Sequence, residues 1–164
     1  MQTIPLAEGD VRWVFPELDD TGEVLDLVRR ADAQIRVLAG HLGVRASWTG
    51  SGIEFHRLEW GQASLFGCAE AGDVSFVAQL WFPRRCATDL GVGPPWEVDG
   101  EISVRCDARV DCGPHFIEEA PAREFDSPLA ATRTLLEVAT WLREHAMAEP
   151  LDSWRQRDTR SGHE

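Results

Sequence analysis

The stretch Trp96-Glu97-Val98-Asp99-Gly100-Glu101-Ile102-Ser103-Val104-Arg105-Cys106-Asp107 decides the fold. Trp96, Val98, Gly100, Ile102, Val104 and Cys106 share one parity, and Glu97, Asp99, Glu101, Ser103, Arg105 and Asp107 share the other. Successive strand residues point to opposite faces, so this is a strand with one side on a core and one toward water. Strands of parallel sheets are covered on both faces, so the alternation predicts an antiparallel sheet.

Upstream, Val74–Phe82 predicts a second strand with Val74, Phe76, Ala78, Leu80 and Phe82 facing the core. Its other side holds Ser75, Val77, Gln79 and Trp81, where Val77 and Trp81 are too apolar for a purely solvated face. Ala71-Gly72-Asp73, Gly61-Gln62 and Thr49-Gly50-Ser51-Gly52 read as turns, which separate strands at Ala63–Ala69 and Ile53–Trp60. Pro83, Gly91, Gly93, Pro94 and Pro95 make 83–95 an irregular crossing loop, and a last strand runs from about Val110 to Phe125.

Helices flank the strands. Val24, Val28, Ala31, Ile35, Leu38 and Leu42 form one apolar stripe over 20–42, with Asp20 or Thr21 as cap and Gly43 as stop. Ser127-Pro128 opens a second helix, whose Leu135, Ala139, Leu142 and Ala146 line one face. The expected fold is therefore α+β, an antiparallel sheet of about five strands with an N-terminal and a C-terminal helix packed on one face. Residues 1–149 are expected to form a single domain, with Trp13, Val14 and Phe15 tucked against its core. Few apolar groups follow Pro150, so 150–164 is expected to be a polar, loose tail in which Trp154 is the one residue able to dock.

Composition excludes several functions. The 164 residues carry a net charge of −12, and all 16 basic residues are arginine. Without lysine there is no Walker A loop, Schiff-base enzyme or kinase-type lysine. The absence of tyrosine removes Tyr–Lys dehydrogenase chemistry. The acidity disfavours nucleic acid and anionic membrane surfaces, both of which need clustered basic charge. A chain with 43% hydrophobic residues can build a core without disulfides or metal. No apolar run reaches membrane-helix length and the first ten residues lack a signal-peptide pattern, which predicts a cytoplasmic location. The Ala/Arg/Gly bias matches a high-GC bacterial genome.

Four candidate chemistries compete with plain structural roles. Cys106, Cys112 and His115 form a C-x5-C-x2-H cluster that could hold zinc with Asp107 or Asp111. On a regular strand, however, Cys112 and His115 point to opposite faces, and Cys106 and Cys112 face each other across a hairpin as small hydrophobes. No cysteine has a histidine at a recognised catalytic spacing. Gly91-x-Gly93 is followed by two prolines where a phosphate loop needs a helix N-terminus. Glu97, Asp99 and Glu101 share one strand face but lie nearly 7 Å apart per step, at a rise of about 3.3 Å per residue, which suits a solvated face better than a cation site.

The leading functional expectation is a non-catalytic acidic domain that binds a protein partner, one rich in basic residues, through a sheet face bearing Val77, Trp81, Glu97, Asp99 and Glu101. An antitoxin- or immunity-like inhibitor, a chaperone and an adaptor fit it equally. It leads because no catalytic set can be assembled, and no cofactor or metal is expected. A small-molecule binder or enzyme with a pocket between helices and sheet, lined by some of the seven tryptophans, is one alternative. A zinc or thiol site at Cys106, Cys112 and His115 is the other. In a reducing compartment the four cysteines should all be free thiols. A thiol reagent added in denaturant without prior reduction is then expected to count four per chain, and one zinc per chain by elemental analysis would overturn the expectation.

Overall fold

The computed structural model describes residues 2–5, 21–48, 50, 52–57, 63–82, 95–105 and 114–161. Six strands form one sheet: β1 (Gln2–Pro5), β2 (Ile53–Arg57), β3 (Ala63–Ala71), β4 (Val74–Phe82), β5 (Trp96–Arg105) and β6 (Pro114–Phe125). They lie in chain order, and every neighbouring pair is antiparallel. Among the described residues the helices are α1 (Thr21–Leu42), α2 (Pro128–Ala148) and α3 (Leu151–Ser161). No helix among the described residues is long and apolar enough to cross a membrane.

The class is the α+β one that the alternation predicts. The meander gains one strand over the expected five, because β1 joins the outer edge of β2. Four residues are too short to carry a readable period. The expected docking of Trp13, Val14 and Phe15 lies outside the described residues, as do the 83–94 part of the crossing loop and residues 106–113 before β6.

Local signals set the element ends. Gly43 adopts φ 70°, a conformation glycine reaches without a Cβ penalty. Its N–H donates to the Gly40 carbonyl and the Val44 N–H to the Ala39 carbonyl, the paired bonds of a Schellman stop. Ser127 caps α2, its Oγ accepting from the Ala130 N–H at 3.4 Å.

One apolar cluster joins both long helices to one side of the sheet. Val24, Val28, Ala31, Ile35 and Leu38 of α1 meet Leu135, Val138, Ala139 and Leu142 of α2 and the Phe55, Leu65, Phe76, Leu80, Val98 and Ile102 side of the strands. Glu23 pairs with Arg133, and Gln34 accepts from Arg143, so the helices run parallel. The sheet is smooth where α2 crosses it: a Cβ on Gly100 would lie 2.3 Å from Val138 Cγ1. At the other helix, Asp32 of α1 accepts from the Ile53 N–H at 2.7 Å, fixing the start of β2. A Cβ on Gly52 would strike the same carboxylate.

The chain end departs from the expected loose tail. Leu151–Ser161 is helical, and Trp154 is wholly buried, edge-on to Phe76 at 6.2 Å between ring centroids. Arg157 lies 4.3 Å above the Trp154 ring and reaches Glu118 of β6, while Arg155 reaches Asp73 in the β3–β4 turn at 2.7 Å. One large aromatic thus seats an otherwise polar helix, with ion pairs orienting it. Replacing a buried tryptophan by alanine typically costs about 3–5 kcal/mol. Trp154→Ala, and truncation after Glu149, are therefore each expected to lower the melting temperature by on the order of 10 °C in a calorimetric scan. A fall of only a degree or two would mean that α3 adds nothing to the core.

Candidate functional site

The two long helices occupy one side of the sheet, so the opposite parity of β2–β5 forms a second, outer face. On it the register sets Val77 opposite Glu101, Gln79 opposite Asp99 and Trp81 opposite Glu97. All five sequence-predicted residues, Val77, Trp81, Glu97, Asp99 and Glu101, are thus on one face of two paired strands. All five are half-buried. Trp81 is not core: its indole N–H crosses diagonally to Asp99 Oδ2 at 3.1 Å. That bond holds the ring along the strands beside the acidic row.

The acids crowd each other. Glu101 stands directly opposite Glu119 of β6, and Glu97 opposite Glu124. Like charges facing across a ladder destabilise a sheet. Burial lifts the Asp99 carboxyl above its ordinary range, the Trp81 N–H pulls against the rise, and the charges of Glu97 and Glu119 add to it. Burial also lifts Glu101, with Asp99 and Glu119 contributing in the same direction. Beside this row lies a hollow of about 320 Å³, whose walls include Phe66, Val77, Gln79, Asp99, Glu101 and Arg105.

A second group at the β2–β3 end escaped the sequence analysis. Glu54 and His56 have outer-face parity yet are almost fully buried. After the Schellman stop the chain crosses to this face. Ser47 Oγ donates to Glu54 Oε1 at 2.5 Å, and His56 Nε2 lies 3.4 Å from Glu54 Oε2. Trp48 stacks on His56 at 5.5 Å and leans on Phe66 at 5.9 Å. Alternation alone marks Glu54 and His56 as solvated, because nothing local shows that another segment covers them.

The residue types of this group suggest hydrolase chemistry, but its geometry does not. A serine nucleophile needs an imidazole as its base. Here the Ser47 hydroxyl is committed to the carboxylate, which stands between it and His56. Cys68 is buried nearby, and burial, with Glu70 next in effect, pushes its thiol up to about 12. It is a neutral thiol, without the thiolate character that reactivity needs. Of the zinc candidates, Cys106 and Cys112 lie outside the described residues, and His115 is on β6. No group of three or more metal-ligating side chains comes together among the described residues. Trp96 and Trp154, on the helix side, are packed as core residues. No family model, curated protein or solved structure matches the chain.

The raised carboxyls have a sign that can be tested. In the folded state Asp99 and Glu101 hold their protons to higher pH than in the unfolded chain. Between the unfolded and folded values the native state binds more protons, so stability falls as pH rises through that window and recovers on acidification. Glu101→Gln is therefore expected to raise the urea midpoint at about pH 7, and the gain should shrink toward pH 5 as the wild-type carboxyls take up protons. A variant less stable than wild type at neutral pH would contradict the repulsion.

Proposed function

We propose that the outer face of β3–β5 is a docking surface for a basic segment of a protein partner, and that the chain acts as a non-catalytic binding domain. One observation carries this reading: Trp81 is held by Asp99 inside a row of carboxylates that oppose each other across the strands. A cationic partner relieves that repulsion. Arginine or lysine side chains pair with the acids, and the indole and Phe66 offer cation–π and apolar contact. The net charge of −12 steers such a partner from a distance. Tryptophan is also among the residues that most often dominate binding energy at interfaces. An inhibitor of a basic toxin, a chaperone for a basic client and an adaptor would all use the face in this way, in a cytoplasmic setting.

Fluorescence anisotropy with a labelled arginine-rich peptide tests the reading. Wild-type protein is expected to bind, with affinity that falls as salt rises from about 50 to 300 mM. Trp81→Ala and the double variant Glu97→Arg/Asp99→Arg should each keep a native circular-dichroism spectrum and lose roughly tenfold or more in affinity. Two folded variants that bind like wild type would refute the proposal.

A further inference from the structure

A second hollow, of about 380 Å³, lies between the segment after α1 and β3, lined by Arg45, Ser47, Trp48, Cys68 and Glu70. Trp48 is 55% exposed, more than any other large apolar side chain among the described residues. It is nonetheless held in place. Its neighbour Ser47 is anchored on the buried Glu54, and its ring is stacked against His56 and Phe66. An aromatic surface that is fixed before a ligand arrives loses little freedom on binding.

Among the described residues, the charges around the ring are not neutralised by an ion pair. Arg45 is exposed, and it makes no ion pair or hydrogen bond among the described residues. Glu70 is exposed, and among the described residues its Oε1 accepts one long bond, 3.4 Å, from the Ser75 hydroxyl. Cys68 is buried and lines the same hollow. Among the described residues the hollow thus presents an exposed indole, a guanidinium without an ion-pair partner and a weakly engaged carboxylate, within the volume range of small-ligand clefts, roughly 300–1,000 Å³.

We propose that this hollow binds a free aromatic α-amino acid, with its ring on the open side of Trp48, its carboxylate on Arg45 and its ammonium on Glu70. A simple anion would meet Glu70 and the strongly negative chain, and a simple cation would meet Arg45. A zwitterion satisfies both. The guanidinium offers a bidentate fork to a carboxylate, and the indole favours an offset or edge-on ring. This site adjoins the docking surface, since Glu70 lines both hollows and Trp48 leans on Phe66, but neither Trp81 nor Asp99 lines it.

Titration calorimetry with L-phenylalanine, N-acetylphenylalanine and phenylalaninamide tests it. Phenylalanine is expected to bind saturably at one per chain. Removing either charge from the ligand should weaken binding by roughly tenfold or more. Glu70→Gln should bring phenylalanine and N-acetylphenylalanine to equal affinity, and Arg45→Ala should do the same for phenylalanine and phenylalaninamide. Trp48→Ala should abolish binding by all three. Absence of saturable phenylalanine binding at millimolar concentration would overturn the proposal. Analogues that bind as tightly as phenylalanine, or the two exposed-charge variants leaving the discrimination unchanged, would do so as well.

Discussion

Everything distinctive about this molecule depends on the close packing of two parallel helices against one side of an antiparallel sheet. The contact is tight enough that the strand beneath α2 has no side chain at Gly100. Because α1 lies over β2 and β3 and α2 over β4 and β5, the apolar parity of every central strand is consumed on that side. The other parity is left for a different purpose. It carries aromatic rings and carboxylates, which make little sense as a second core but suit a recognition surface.

The two sides follow opposite energetic rules. On the helix side, large side chains such as Phe76, Leu80, Ile102 and Trp154 are fully buried, and each stabilises the fold through area removed from water. On the outer side, Glu101 faces Glu119 and burial raises the Asp99 and Glu101 carboxyls, so this arrangement costs stability. Folds tend to carry such local costs where binding needs them. The Trp81–Asp99 hydrogen bond reduces part of the cost while fixing the ring's direction.

What was legible in the sequence followed from periodicity. The 96–105 alternation, the 4-3 spacing of α1, Gly43 as a stop and Ser127-Pro128 as a start all describe local geometry, and each element formed as those residues dictate. The pairing of β4 with β5 then brought Val77, Trp81, Glu97, Asp99 and Glu101 together, although their side-by-side placement could only be stated as a condition beforehand. What was not legible depended on tertiary contact. Leu151–Ser161 is polar throughout except at Leu151 and Trp154, and a single tryptophan gives no stripe to read. Glu54 and His56 alternate with Ile53 and Phe55 like any half-exposed strand, and Ser47 and Trp48 of the segment after α1 lie against them.

The central claim is that the outer face, and not the helix side, meets the partner. The indole N–H resonances of the tryptophans give the most direct test, since Trp81 lies on one side of the sheet and Trp154 in the core on the other. In a two-dimensional proton–nitrogen spectrum followed during addition of an arginine-rich peptide, the account predicts that the Trp81 indole signal and the backbone amides of 75–81 and 97–103 move progressively, while the Trp154 signal stays in place. Shifts confined to the amides of α1 and α2, with Trp81 unmoved, would contradict it.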